Sequence, residues 1–294
     1  MTGSCQLAQR PMRRLLRLCL PLVAALVLFS CVKAFSKLAY NNLLPKIILQ
    51  RIDFYFDLNS DQRSRLIAQI ALHHQWHRNS QLKLYLADLR DLRQRFAARL
   101  KPADLDWLTG RLTLHRNAIF ARVIPDLAQV LQTLSPDQIS NLEKKLAKEN
   151  KELAAKLARP QAVRQEEEFG LIVEQVESWA GSITDAQKTE LRARYSALPA
   201  AANDWLRYRE NQQAVWIALL RSKPDYQRLK DDLDGRMLYQ EKNVPKQFRA
   251  SFARTLTLMK EMILTADKML TAEQRAHVLK KTDEYIQLLA DLAA

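Results

Sequence analysis

Along most of the chain, apolar side chains return every third or fourth position with Lys, Arg, Glu and Gln between them. That is the spacing of one buried helix face. Ile139, Leu142, Leu146, Leu153 and Leu157 make one such stripe on a helix predicted from about Pro136. Phe248, Phe252, Leu256, Met259 and Ile263 make a second, and Leu82, Leu86, Leu89, Leu92 and Phe96 a third. No segment alternates apolar and polar residues far enough to predict a strand. Pro102, Pro125, Pro160, Pro199, Pro224 and Pro245 punctuate the pattern, mostly where a helix would begin or kink. The predicted fold class is all-α: antiparallel helical hairpins in a bundle, joined by short turns.

A five-residue phrase marks four of the helix starts. LNSDQ runs from Leu58 to Gln62, LSPDQ from Leu134 to Gln138, ITDAQ from Ile183 to Gln187 and LTAEQ from Leu270 to Gln274. LKPAD, Leu100 to Asp104, is a weaker relative. Asn59, Ser135, Thr184 and Thr271 have the short polar side chains that cap helix N-termini, and a Gln three positions on can bond back to the cap's own N–H. Pro136 suits the first helical position, and acids in the first turn face the positive end of the helix dipole. Leu134 and Ile139 add a hydrophobic staple to the second phrase alone. Helix capping accounts for these residues without any ligand.

The phrases also hint at a repeat. Counting from Leu134 and from Leu270, matched offsets pair Gln138 with Gln274, Lys144 with Lys280, Lys145 with Lys281, Leu153 with Leu289 and Ala154 with Ala290. Trp76, followed by Arg78, lies 18 positions after Leu58; Trp205, followed by Arg207, lies 22 after Ile183. The expectation is two related helical modules, 58–159 and 160–294, meeting at Arg159–Pro160. Chance likeness between Lys- and Leu-rich helices is the competing account.

The first thirty residues differ in kind. They carry four arginines (Arg10, Arg13, Arg14, Arg17), no acid, and an apolar run from Leu18 to Ser30. The run is too short for a bilayer that needs about 20 apolar residues, and it has signal-peptide proportions. Met12 stands just before the Arg pair and would itself open a compact signal. The run closes on Leu28, Phe29, Ser30 and Cys31, which is similar to the lipobox of bacterial lipoproteins; Phe29 departs from it, since a small residue is usual there. The expected organisation is a signal peptide over 1–30, then a lipidated Cys31 and a tether over 31–57. Val32 follows the cysteine, and resemblance to sorting rules then favours the outer membrane.

Cysteine and charge follow from that cut. Cys5 and Cys19 precede it, so Cys31 alone would remain, acylated, with no disulfide framework and no thiol catalysis. The whole chain has a formal charge of +14; losing four arginines and no acid leaves +10 on 264 residues. A basic surface attracts anionic lipid, peptidoglycan or nucleic acid, and a secreted address excludes the last.

Few residues suggest chemistry. His73 and His77 in HHQWH share a helical face as zinc ligands do, but His74 stands where a metalloprotease would place its glutamate. Trp76, His77, Arg78, Gln81 and Tyr85 make a candidate binding surface, since Trp and Arg concentrate at binding hot spots and serve equally to close a helix pair. Asp53 and Asp57 are four apart and could act as paired carboxylates, though Asp57 leads straight into a cap. Glu166–Glu168 reads as a solvated face. No phosphate-binding, nucleophile-elbow, zincin or EF-hand motif occurs, and no cofactor or metal is expected.

In order along the chain, CVKAFSKLAYNNLL, RIDFYFDLNSDQ, WHRNSQLKLYLADLR, IPDLAQVLQTLSPDQISNLEKKLAKEN and VESWAGSITDAQ resemble an uncharacterised family of Gram-negative lipoproteins, the domain of unknown function 6279. The likeness runs to about Arg207; the last eighty residues match only in character. It implies a signal peptide, a lipid anchor and a helical body, and no known activity, cofactor or catalytic residue. The capped phrases alone are also similar to the small periplasmic helical chaperones of envelope stress. The functional expectation is a lipid-anchored, periplasm-facing binding, scaffold or chaperone-like protein and not an enzyme, with the membrane and an envelope protein or peptidoglycan as partners. The alternative is an envelope hydrolase using Asp53 and Asp57 or His73 and His77.

Overall fold

The structure, a computed structural model, describes residue 37 and residues 39–199, 202–238 and 244–294. The signal peptide, Leu28, Phe29, Ser30 and Cys31 lie outside the described residues. Every element among the described residues is helical. A π-helical turn, Ala39–Leu43, leads into α1 (Leu44–Phe56), α2 (Ser60–Trp76), a second π-helical turn (His77–Gln81), α3 (Leu82–Ala97), α4 (Pro102–Gln132) and α5 (Pro136–Leu157). Then come α6 (Gln161–Ala180), α7 (Asp185–Ser196), α8 (Ala202–Arg221), α9 (Tyr226–Met237), α10 (Lys246–Met269) and α11 (Ala272–Ala293). The fold is an all-α bundle.

The prolines mostly sit where helices begin. Pro102 and Pro136 open α4 and α5, while Pro160 and Pro245 stand at the N-caps of α6 and α10. Pro125 is the exception: it lies inside the 31-residue α4, where it removes one ladder hydrogen bond without ending the helix. Two apolar stripes bury as expected, with Ile139, Leu142 and Leu157 inside on α5 and Leu82 and Leu89 inside on α3. On α10 the stripe buries only in part. Met259 and Met262 are buried while Phe252 is 39 % exposed, because Met262, Ala266 and Met269 are the side chains that meet the cluster around Phe169 and Leu191. Residues 44–56, within the stretch expected to be a tether, form α1, which turns Leu49, Ile52 and Phe56 toward Leu58, Leu66 and Ile70.

The capped starts do more than start helices. Asn59, Ser135, Thr184 and Thr271 each accept from the backbone N–H of the Gln three residues on, and each Gln side chain accepts from the cap's own N–H. The same glutamines then meet in pairs. Gln138 donates to Gln62 Oε1 at 2.7 Å and Gln62 to Gln138 Oε1 at 3.2 Å. Gln187 donates to Gln274 Oε1 at 2.9 Å and Gln274 to Gln187 Oε1 at 3.1 Å. Each amide also reaches the carbonyl just before its partner's phrase: Gln62 to Thr133, Gln138 to Asp57, Gln187 to Met269 and Gln274 to Ser182. All four glutamines are buried. A capping box accepts Glu as readily as Gln, but only an amide can accept from its own cap and donate across to a neighbour. That requirement explains why all four phrases end in Gln.

The two clasps sit in two halves built alike. In the first half α1 packs on α2 and α5, and α2 on α4; in the second α6 packs on α7 and α11, and α7 on α10. The halves then interlock. α3, the continuation of α2, lies along α11, while α8, which follows α7, lies along α5. α9 in turn packs on α4. One core therefore spans Arg159–Pro160, joining Ile124, Leu131, Ile139 and Leu142 to Ile217, Leu220, Leu229 and Leu233. A buried ion pair adds to the lock: Asp267 accepts from Leu100 N–H at 3.1 Å and pairs with Arg275 at 2.9 Å.

Candidate functional site

The long helix from Ser60 to Ala97 is broken in register only by the π-helical turn at His77–Gln81. One extra residue per turn re-aims the side chains that follow, and such turns recur at functional positions. Here the turn places His77 against the N-terminal segment. The Tyr40 hydroxyl and His77 Nδ1 are 2.8 Å apart, and His74 Nε2 lies 3.2 Å from the Tyr40 carbonyl. Tyr85 stands edge-on between His77 and His115, with centroids 5.4 and 4.5 Å away. His115 Nε2 meets Asp88 at 2.5 Å, and Arg111 holds both oxygens of the same carboxylate at 2.8 and 2.9 Å. Below the turn, Tyr40, Leu82 and Leu292 form a small core, and Arg78 donates to the Leu292 carbonyl at 3.1 Å. The seam thus ties the first described residues to the last helix.

Burial shifts the titratable groups at its centre. Burial pushes the Tyr40 hydroxyl up to about 12 and the Tyr85 hydroxyl to about 12, the latter helped by Tyr40. Burial, with His74 nearby, pulls the His77 ring down to about 4. At neutral pH the ring is uncharged, and its Nδ1 shares one hydrogen bond with the Tyr40 hydroxyl. Neither tyrosine is a usable acid and His77 is a weak base. The arrangement positions chain segments.

Of the five side chains expected to line a surface, the structure gathers His77, Arg78, Gln81 and Tyr85 around this seam. Gln81 is 6 % exposed, and its Oε1 is buried without a partner. Within the set Gln81 is buried, while Trp76, His77, Arg78 and Tyr85 are half-buried; the four at the seam contribute to a joint between chain segments. Trp76 stands apart, its ring 5.9 Å beneath the Arg122 guanidinium. Tyr40, Asp88, Arg111 and His115 complete the seam and came from no local motif, because the Ala39–Leu43 turn, α3 and α4 bring them together only on folding.

The remaining candidates are occupied by structural contacts. Asp53 caps Leu58 N–H at 3.0 Å and pairs with Arg63 at 2.7 Å. Asp57 has a left-handed backbone (φ 51°), and Asn141 donates to its carboxylate at 3.3 Å. His73 Nε2 lies 2.8 Å from Asp126, whereas His77 faces Tyr40. Among the described residues no group of three or more His, Cys, Asp or Glu could hold a metal ion, and no helix is long and apolar enough to cross a membrane. A shallow hollow of about 410 Å³ is lined by Leu131, Gln132, Leu134, Leu220, Lys223, Pro224 and Asp225. It lies at the ends of α4 and α8, away from the seam.

The model of a family of unknown function, DUF6279, matches residues 54–249. No curated protein and no solved structure matches the chain.

Proposed function

The chain belongs to the DUF6279 family, and we propose that this member is a lipid-anchored envelope protein that works by binding, as a scaffold, adaptor or chaperone-like module facing the periplasm. The observation that carries the reading is the N-terminal order: four arginines, a thirteen-residue apolar run, then Cys31. A diacylglyceryl group on Cys31 with an acyl chain on its amine would hold the protein stably, where a single chain gives only marginal attachment. The outer membrane is the proposed site, since Val32 and not an acid follows the cysteine.

A binding role is supported by how the titratable candidates are used. Asp53, Asp57, His73 and His77 each face a partner within the fold, which favours structural roles for them. The formal +10 of the proposed mature chain suits an anionic envelope partner such as peptidoglycan or an acidic protein.

The test is capture from intact envelopes with the anchor retained. A binding protein brings down an envelope protein or peptidoglycan in near-stoichiometric amount. Recovery of neither, together with hydrolysis of envelope material by the purified protein, overturns the proposal. Suppression of aggregation of a denatured client separates a chaperone from a scaffold.

A further inference from the structure

Helix α1 carries apolar side chains on the wrong side. Its inward face is Leu49, Ile52 and Phe56, yet Leu43 at its N-cap, Ile47 and Phe54 are 51 %, 56 % and 50 % exposed, with Lys145 of α5 5.1 Å from the Phe54 ring. Positions 43, 47 and 54 are four and seven apart, so they form one stripe along the helix. Lys46 and Arg51 flank it; Arg51, 44 % exposed, also donates to the Tyr55 hydroxyl at 3.0 Å and lies 3.9 Å from Glu149, and the acid of α1, Asp53, is paired with Arg63. A helix with one face packed and the opposite face apolar and cation-rimmed has the character of an interfacial helix.

The related half shows that the packing does not require this stripe. α1 and α6 both end in a residue of positive φ, Asp57 (51°) and Gly181 (81°), whose N–H bonds the carbonyl four back, at Asp53 and Glu177. In that register positions 43, 47, 50 and 54 correspond to Glu167, Leu171, Glu174 and Ser178. α6 fills the same place in its half with a mostly polar face. Its whole length carries five glutamates against one arginine, whereas α1 carries Lys46 and Arg51 against Asp53. The apolar, basic version belongs to the helix nearest Cys31. Twelve positions separate Cys31 from Leu43, which extended chain spans in at most about 40 Å. An acylated Cys31 therefore keeps this face within reach of the bilayer at all times.

We propose that α1 lies on the bilayer surface, with Leu43, Ile47 and Phe54 in the headgroup–acyl boundary and Lys46 and Arg51 toward anionic headgroups, so that the body is oriented on the membrane and not merely leashed to it. The inference rests on the lipid-anchor reading for its proximity argument.

The test uses the full-length protein expressed with its own N-terminus, isolated from membranes and reconstituted in vesicles of phosphatidylethanolamine and phosphatidylglycerol. A benzophenone amino acid is placed at position 47, 54 or, as a control, 151 on the exposed side of α5. On irradiation, positions 47 and 54 are expected to give lipid adducts and position 151 none, and Ile47→Glu to abolish the adduct at 54 with helicity unchanged. Absence of lipid adducts at 47 and 54, or adducts to a second copy or another protein in their place, overturns the proposal. The mass of the N-terminal peptide keeps the two readings apart. Acylated Cys31 without adducts sinks the docking and leaves the anchor; adducts without acylation sink the anchor and leave the docking.

Discussion

The glutamine clasps make a sharp demand on a single atom pair, and Gln138→Glu isolates it. The variant keeps the capping box, because a carboxylate oxygen still accepts from Ser135 N–H at 2.9 Å, and it places a favourable charge in the first turn of α5. It loses both donations of the amide, to the Asp57 carbonyl at 2.9 Å and to Gln62 Oε1 at 2.7 Å. Each buried hydrogen bond contributes about 0.5–1.5 kcal/mol net, and burying the new charge adds a further cost. One contact offsets part of this, since Gln62 Nε2, 3.2 Å away, now donates to a carboxylate. The balance is a loss of about 1–3 kcal/mol, or about 3–10 °C in Tm for a chain of this size. Chemical denaturation followed by circular dichroism measures it. A pH series adds a second signature. The buried Glu titrates above its unfolded value of about 4.3, so its deficit against the parent is full above the folded pKa. The deficit shrinks as pH falls, when the protonated carboxyl can donate to Asp57. A deficit under about 0.3 kcal/mol at neutral pH, or one that grows on acidification, would refute the reasoning.

Three further outcomes are expected. His77 is half-buried and neutral, with its pKa pulled from 6.5 to about 4, so protonation favours the unfolded chain and stability is lost as pH falls from 6.5 toward 4. His77→Gln is expected to flatten that acid limb in an equilibrium denaturation series, and an unchanged slope would place the acid sensitivity elsewhere. Asp267→Ala leaves the Leu100 N–H and the Arg275 guanidinium without their carboxylate; a loss of about 3–5 kcal/mol by denaturant titration is expected. Gly181→Ala forces a side chain into φ 81° where there is open space but backbone strain, and is expected to cost about 1–2 kcal/mol by the same measurement.

The helices and their starts were legible because both are local. Apolar spacing marks the inner faces of α3 and α5, and an Asn, Ser or Thr followed three residues later by Gln marks four N-termini. The clasps were half-visible: four glutamines where glutamate would serve equally well is a signal, but its partner is set by tertiary packing. The interlock of the halves left no local mark, because α3 on α11 and α8 on α5 join segments far apart in the chain. α10 misled at one position, since Met259 of its apolar stripe is buried but Phe252 is left outside. The seam at His77 was found by composition, but its role as a joint was not legible there. Trp, His, Arg and Gln suit a binding groove and a helix joint alike, and the difference lies in Tyr40 and Leu292, which only the folded chain brings near.

The proposal that the protein is held in the envelope through Cys31 is tested most directly by the mass of the N-terminal peptide released from membrane-purified protein. The expected result is a chain beginning at Cys31 and carrying a diacylglyceryl group and an N-acyl chain, with Cys31→Ala yielding no such species. An unmodified Cys31 with residues upstream still attached would contradict it.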